Sequence, residues 1–256
     1  MKALVLSGGG GFGAYQAGTW LALEESNWSP DTVIGISIGA VNGFVISRAA
    51  RAADLIDLWR QPPHQIENTN GAGFGFWKHS SLFRSWLEVV VRKHASQLPT
   101  RDLHIVMTEL PSCAMRVASG TEITERHLLA ACALPGILPP VRLNGKFYLD
   151  AGTFYHLPMR EALATGATDI IAIDLLKNPP CRSIRRARQA ALWLRNLIRQ
   201  ETTEPTAHEL QRVRLRHVGH ARPLGSLRQC FEWDPSRVEA LIEAGYRDTL
   251  ATLRDA

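Results

Sequence analysis

Apolar residues in the first two-thirds of the chain fall into short runs separated by longer amphipathic stretches. The runs at 3–6, 32–36, 103–107 and 169–173 have the length and Val/Ile/Leu content of buried strands. Between them, apolar positions recur at helical spacing over 14–26, 38–60, 80–95, 122–133 and 158–166. This alternation predicts an α/β fold with a mostly parallel sheet covered by helices on both faces. Asn144-Gly145 separates Val141-Arg142-Leu143 from Lys146-Phe147-Tyr148-Leu149, a hairpin signal that puts Asp150 at a strand exit. Residues 61–80, rich in Gly, Pro and aromatics, read as one long loop. Beyond residue 180 the pattern becomes helical, over 183–200, 207–218 and 236–254. The last of these starts after Asp234-Pro235-Ser236.

Charge follows the same division. Residues 1–180 carry 15 Lys+Arg and 15 Asp+Glu, whereas 181–256 carry 14 and 9, so the second part supplies the whole net charge of +5. A chain of 256 residues suits one α/β domain with an appendage. It has no apolar run of about 18 residues, so no membrane span is expected. Met1-Lys2 leads straight into a strand and then glycines, which is not the pattern of a secretory signal. Cys113, Cys132, Cys181 and Cys230 form no CxxC and read as reduced thiols of a cytoplasmic protein.

Two motifs follow strands directly. Gly35-Ile36-Ser37-Ile38-Gly39 comes after Thr32-Val33-Ile34. A G-x-S-x-G elbow holds a serine hydroxyl exposed, and the helix that follows points its positive end at the same place. By itself the motif also describes a plain strand-to-helix turn. Ser7-Gly8-Gly9-Gly10-Gly11-Phe12-Gly13 comes after Ala3-Leu4-Val5-Leu6. Its glycine N–H groups can converge on one oxyanion. The spacing Gly8, Gly10, Gly13 also matches a dinucleotide fingerprint. That reading needs an acid at the end of the second strand, and Asp31 stands before it. A phosphate P-loop is excluded, because no GK[ST] closes the loop. For a base, Asp150 and Asp174 both follow apolar strands. Asp150 has the room that Ala151-Gly152 leave beside it, and Asp174 reads as a helix cap or surface charge.

These blocks together resemble the patatin-like phospholipases. The glycine loop is similar to their oxyanion motif, Gly35–Gly39 to their elbow, and Asp150-Ala151-Gly152 to their DG[GA] signature. Residues 133–141 resemble the proline-rich segment before that signature. The resemblance implies a three-layer α/β/α fold over 1–178, with 179–256 as a basic helical extension. It implies a Ser37–Asp150 dyad, with Ser37 as nucleophile, Asp150 as base and Gly9, Gly10 and Gly11 as oxyanion donors. Gly8, Gly13, Gly35, Gly39, Ala151 and Gly152 support the motifs. The implied activity is hydrolysis of lipid acyl esters, with no cofactor and no metal.

The chain departs from the pattern in three places, the mildest being Asp150-Ala151-Gly152, a DAG where the signature has DGG or DGA. Phe12 stands where family members usually carry Arg or Lys. His156 stands where they often carry Asn, and it reads either as an auxiliary third member of a triad or as a residue that fastens the Asp150 loop. Phe12 keeps a non-catalytic lipid- or protein-binding role open, and a general esterase or thioesterase is a further alternative. Phe74, Phe76, Trp77, Leu82, Phe83 and Trp86 suggest a lid or acyl groove, with the last three reading better as helix core. The arginines of 183–200 suit either an anionic membrane surface or solvent, which adds peripheral attachment to the inner face of a membrane as an option. Nucleic acid is not an expected partner.

Overall fold

The computed structural model describes residues 1–48, 51–61, 80–179, 186, 189–190 and 205–254. Its strands are β1 (Lys2–Leu6), β2 (Thr32–Ile36), β3 (Asp102–Leu110), β4 (Ala114–Ser119), β5 (Val141–Leu143), β6 (Lys146–Asp150), β7 (Asp169–Ile173) and β8 (Arg214–Val218). They form one eight-stranded sheet in the order β5-β6-β3-β2-β1-β7-β8, with β4 paired to β3. Pairs β1–β2, β1–β7, β2–β3 and β7–β8 are parallel, while β3–β4, β3–β6 and β5–β6 are antiparallel. The chain therefore runs outward from β1 in one direction and returns on its other side with β7. The carboxyl end of β1 is the switch point at which open α/β sheets build their sites.

Among the described residues the helices are α1 (Ala14–Glu25), α2 (Ile38–Ile46), α3 (Ala52–Arg60), α4 (Ser80–His94), α5 (Glu125–Ala131), α6 (Met159–Ala164), α7 (Ala207–Leu210) and α8 (Pro235–Arg254). Strand residues alternate between two cores. Leu4, Leu6, Val33, Ile171 and Ile173 pack into a large cluster with α1, α2, α3, α4 and α8. Ala3, Val5, Ile34, Ile36 and Ala172 pack on the other face with Phe154, Tyr155 and Met159. This is the expected α/β/α sandwich. Both faces of β1 and β2 are covered, which is why these strands read as unbroken apolar runs.

Three elements differ from the expectation. The stretch 38–60 is two helices, because α2 stops at Ser47, whose hydroxyl turns back onto the Phe44 carbonyl at 3.0 Å. The helix α3 then starts afresh, with the Asp54 carboxylate accepting the Arg51 N–H at 2.9 Å. The stretch 207–218 is a one-turn helix followed by β8, not a helix throughout. Alternation decides it: Arg216 and Val218 are buried, and Arg216 pairs with Asp169 of β7. Strand β4 carries no clear strand signal, because Ala114–Ser119 is short, buries only Ala114 and Ala118, and pairs along an edge of β3. The expected hairpin is present, with Asn144 and Gly145 at φ 47° and 83° between β5 and β6.

Phe83 and Trp86 are buried in the large core, and Trp59 stacks on Trp233 of the C-terminal region at 4.9 Å. Phe74, Phe76 and Trp77, with most of the arginine-rich stretch 183–200, lie outside the described residues. Among the described residues no helix is long and apolar enough to cross a membrane.

Candidate active site

Sheet register brings the chemistry together. Ile36 stands opposite Val106 and Met107 stands opposite Asp150, so the residue after Ile36 comes level with Asp150. That residue is Ser37, held at φ 56° and ψ −129° between β2 and α2. A serine at positive φ is strained, and such strain gathers at functional turns. The turn needs bare backbone on both sides of it. A Cβ on Gly39 would lie 2.6 Å from the Leu6 carbonyl oxygen, and one on Gly35 would strike the Gly39 carbonyl.

The glycine loop lies beside the hydroxyl. A Cβ on Gly8 would stand 3.0 Å from Ser37 Cβ and 3.6 Å from its Oγ. The loop is anchored on both flanks. Ser7 N–H donates to Ile173 O at 3.1 Å, and Leu175 N–H donates to Ser7 Oγ at 2.9 Å. Behind it, Gln16 donates to Ser7 O, and Asn42 of α2 donates to Gly13 O and to Gln16 Oε1, at 2.8–3.0 Å. Among the described residues the N–H groups of Gly9, Gly10 and Gly11 have no hydrogen-bond partner. Buried main-chain donors are normally paired; here Gly9 and Gly11 are buried and Gly10 half-buried, and Gly9 and Gly10 border the same cavity as Ser37.

Asp150 is 2 % exposed, and its Oδ1 accepts the Gly152 N–H at 2.7 Å. Burial pushes its carboxyl up to about 6, against the pull of hydrogen bonds from Ser37 and Gly152 that favour the charged form. Burial also raises the Cys132 thiol well above its ordinary range, and the Asp150 charge adds to this. Ser37, Asp150, Gly152, Gly8, Gly9, Gly10 and His156 all border one cavity of about 360 Å³. Its remaining wall is mainly apolar and includes Leu134, Pro135, Ile137, Leu176, Leu227 and Phe231.

Other expected site residues sit around the cavity without lining it. Gly11 faces the carbonyl of Glu232, Gly13 packs on Trp59 and Ile38, and Ala151 lies in the smaller core. Phe12 is wholly buried and does not border the cavity; the Arg237 guanidinium lies 5.7 Å from its ring. His156 Nε2 meets Asp174 Oδ2 at 2.6 Å. Asp174 is therefore not a surface charge: it is 3 % exposed and is also approached by His217. Burial opposes its charge. The bonds from His156 and His217, the His156 charge and the Leu176 N–H outweigh that and hold the carboxyl well below the usual carboxylate range. The dinucleotide reading fails on position, because Asp31 bonds Lys2 N–H at 2.7 Å, at the opposite end of β1 from the glycines.

Comparison with known proteins points to one family. The family described as Patatin-like phospholipase matches residues 4–106, a span that holds both the glycine loop and the Ser37 elbow. Lysophospholipase NTE1 of Meyerozyma guilliermondii is 28% identical over 192 residues, covering 67% of this chain and 12% of its own length. The human Patatin-like phospholipase domain-containing protein 6 is 29% identical over 182 residues, covering 68% of this chain and 13% of its own. The chain is thus similar to the patatin-like phospholipases, by the family model over residues 4–106 and by these relatives over about two-thirds of its length.

Among solved structures, VipD from Legionella pneumophila shares the patatin-like fold at a TM-score of 0.55 and 14% identity, over 99% of this chain and 67% of its own. The chain spans about an eighth of the length of the two curated relatives, so it is similar to one part of each. Against the patatin-like pattern, the residues that sequence reasoning missed are Cys132 and Cys230 on the cavity wall and the buried amides Gln16 and Asn42. Asn42 had a signal: an amide amid Ala40-Val41 and Gly43-Phe44 in an apolar helix must find internal partners. The cysteines gave none, since a thiol is as much at home in a core as beside a site.

Proposed function

We propose that this chain is a serine hydrolase that cleaves acyl esters of lipids through a Ser37–Asp150 dyad. The observation that carries the reading is the meeting of three parts at one apolar cavity: a strained serine, a buried carboxyl and a run of glycine N–H groups without partners. Asp150 takes the Ser37 proton as Oγ attacks the ester carbonyl. The carbonyl oxygen becomes an oxyanion against the N–H groups of Gly9 and Gly10, with Gly11 next to them. Collapse of the tetrahedral intermediate expels the alcohol, which takes the proton back from Asp150. Water, activated by the same carboxylate, then releases the fatty acid and restores Ser37.

A carboxylate of ordinary pKa is a weak base for this step. The lift to about 6 brings Asp150 close to the working range of a general base. The apolar wall suits an acyl chain. The non-catalytic alternative leaned on Phe12, which faces the core and leaves the cavity unobstructed.

The test is hydrolysis of a p-nitrophenyl acyl ester and of a lysophospholipid panel by wild type, Ser37→Ala and His156→Asn. Ser37→Ala should lose more than about 10⁴-fold in kcat. Turnover on the ester alone favours the general esterase. A loss in His156→Asn as large as that in Ser37→Ala makes His156 a member of a triad. No Ser37-dependent turnover on any acyl ester removes the proposal.

A further inference from the structure

The glycine loop is walled by a segment from the far end of the chain, residues 224–237, which also lends Leu227, Cys230 and Phe231 to the cavity wall. The single-turn helix Gln229–Phe231 lies directly against it. Cys230 Sγ–H donates to the Gly9 carbonyl at 3.0 Å. The Cys230 carbonyl presses on Gly10, where a Cβ would collide with it, and Gly10 itself sits at φ 55°. The Glu232 carbonyl would lie 2.7 Å from a Cβ on Gly11. Arg237, at the start of α8, holds this wall in place. Its guanidinium donates to Leu224 O at 3.1 Å and to Gln229 O at 3.5 Å, and it lies over the ring of Phe12. Phe12 N–H in turn donates to Gly9 O at 3.1 Å.

The Gly9 carbonyl thus receives two donors, Phe12 N–H and the thiol of Cys230, a residue that also borders the cavity. In a trans peptide the N–H points opposite to the carbonyl, so fixing the Gly9 carbonyl also fixes the N–H of Gly10, which borders the cavity. Burial pushes the Cys230 thiol up to about 12, against the Arg237 charge, so the sulfur keeps its proton and remains a donor.

We propose that Cys230 and Arg237 are positioning residues for the oxyanion loop: they lock the Gly9–Gly10 peptide so that its N–H points at the substrate carbonyl before substrate arrives. The inference rests on the reading of Gly9–Gly11 as the oxyanion cradle. Neither residue takes part in bond making. Cys230 acts through the Gly9 carbonyl, and Arg237 acts through the wall that carries Cys230. Preorganised donors stabilise a transition state because they need no reorientation during the reaction, so loosening them lowers kcat and leaves KM largely alone.

The test uses the full chain with Cys230→Val, Cys230→Ser and Arg237→Gln, each checked for folding by thermal denaturation. Valine keeps the volume and removes the donor, whereas serine keeps a donor. Cys230→Val should lower kcat about 10- to 100-fold at near-constant KM. It should weaken a trifluoromethyl ketone inhibitor, which forms the oxyanion, by a similar factor. Cys230→Ser should recover most of the loss, and Arg237→Gln should lie between. Hydrogen exchange in the peptide spanning residues 8–13 gives a readout that needs no activity, and it should speed up in Cys230→Val and Arg237→Gln. Unchanged exchange in both, or a Cys230→Ser enzyme as slow as Cys230→Val, overturns the proposal. If Ser37-dependent turnover is missing in wild type, the functional reading fails, and exchange alone decides whether the wall holds the loop.

Discussion

In the proposed dyad Asp150 works in a form that burdens the fold. At 2 % exposure its charge is poorly solvated, and the carboxyl titrates near 6, above the unfolded value of 3.8. A folded pKa above the unfolded one means that the neutral acid is the better-tolerated state. Its contribution to stability is present in full below pH 3.8 and is lost as pH rises through about 6. The dyad needs the opposite state, the carboxylate. Two outcomes follow. kcat/KM on a neutral ester should rise with pH through an apparent pKa near 6 and then level off. Asp150→Asn should abolish hydrolysis and yet raise the melting temperature at pH 8, by up to about 3 kcal/mol in stability, with the gain shrinking toward pH 4. A pH profile with no inflection near 6, or an Asn variant less stable than wild type at pH 8, counts against this account of Asp150. Sequence could name Asp150 from its strand exit and its Ala-Gly neighbours. It could not give the pKa, which comes from burial, partly offset by the hydrogen bonds from Ser37 and Gly152.

At the scale of elements, the elbow and the glycine loop behave as one unit. The carbonyls of Leu6 and Ser7 pass so close to Gly39 that β1 and α2 touch backbone to backbone. Gly39→Ala must push them apart, so it should destabilise the fold by about 1–3 kcal/mol and move Ser37 off the carboxyl, with loss of most activity. Gly145→Ala is the control. It sits at φ 83° with open space around it, so it should cost about 1 kcal/mol and leave kcat alone. Urea denaturation and ester hydrolysis on both variants separate the two cases. Equal activity in Gly39→Ala and wild type contradicts the close-approach argument. The elements that carry the site were legible because their signals are local: a β-branched run, then glycines, then a small-residue helix. The break at Ser47 was not, since 38–60 holds no Pro and its Asn42-Gly43 dipeptide lies inside α2, not at the break. Nor was β8, whose arginines and histidine hide a period-two pattern that only β7 completes.

On the scale of the molecule, the C-terminal region is built into the fold. The strand β8 extends the sheet beside β7. The helix α8 lies along α1, where Tyr15 donates to Asp248 at 2.8 Å and Thr19 reaches the Gly245 carbonyl at 3.4 Å. Trp233 closes the stack on Trp59, and Cys230 seals the glycine loop. Composition alone presents this region as a basic extension. It reveals nothing of these contacts, because all but the β7–β8 pairing join residues more than 170 positions apart. Deleting 205–256 should therefore give a chain that does not fold cooperatively, seen as a lost thermal transition by circular dichroism. A truncated protein with a sharp transition and full activity contradicts that integration.

The central claim is that Ser37 is a nucleophile activated by Asp150. The most direct measurement is reaction with a fluorophosphonate, followed by intact mass and peptide mapping. The account predicts a single adduct on the peptide containing Ser37, none in Ser37→Ala, and slow or no labelling in Asp150→Asn despite an intact fold. An adduct on another residue, or labelling of Asp150→Asn at the wild-type rate, contradicts it.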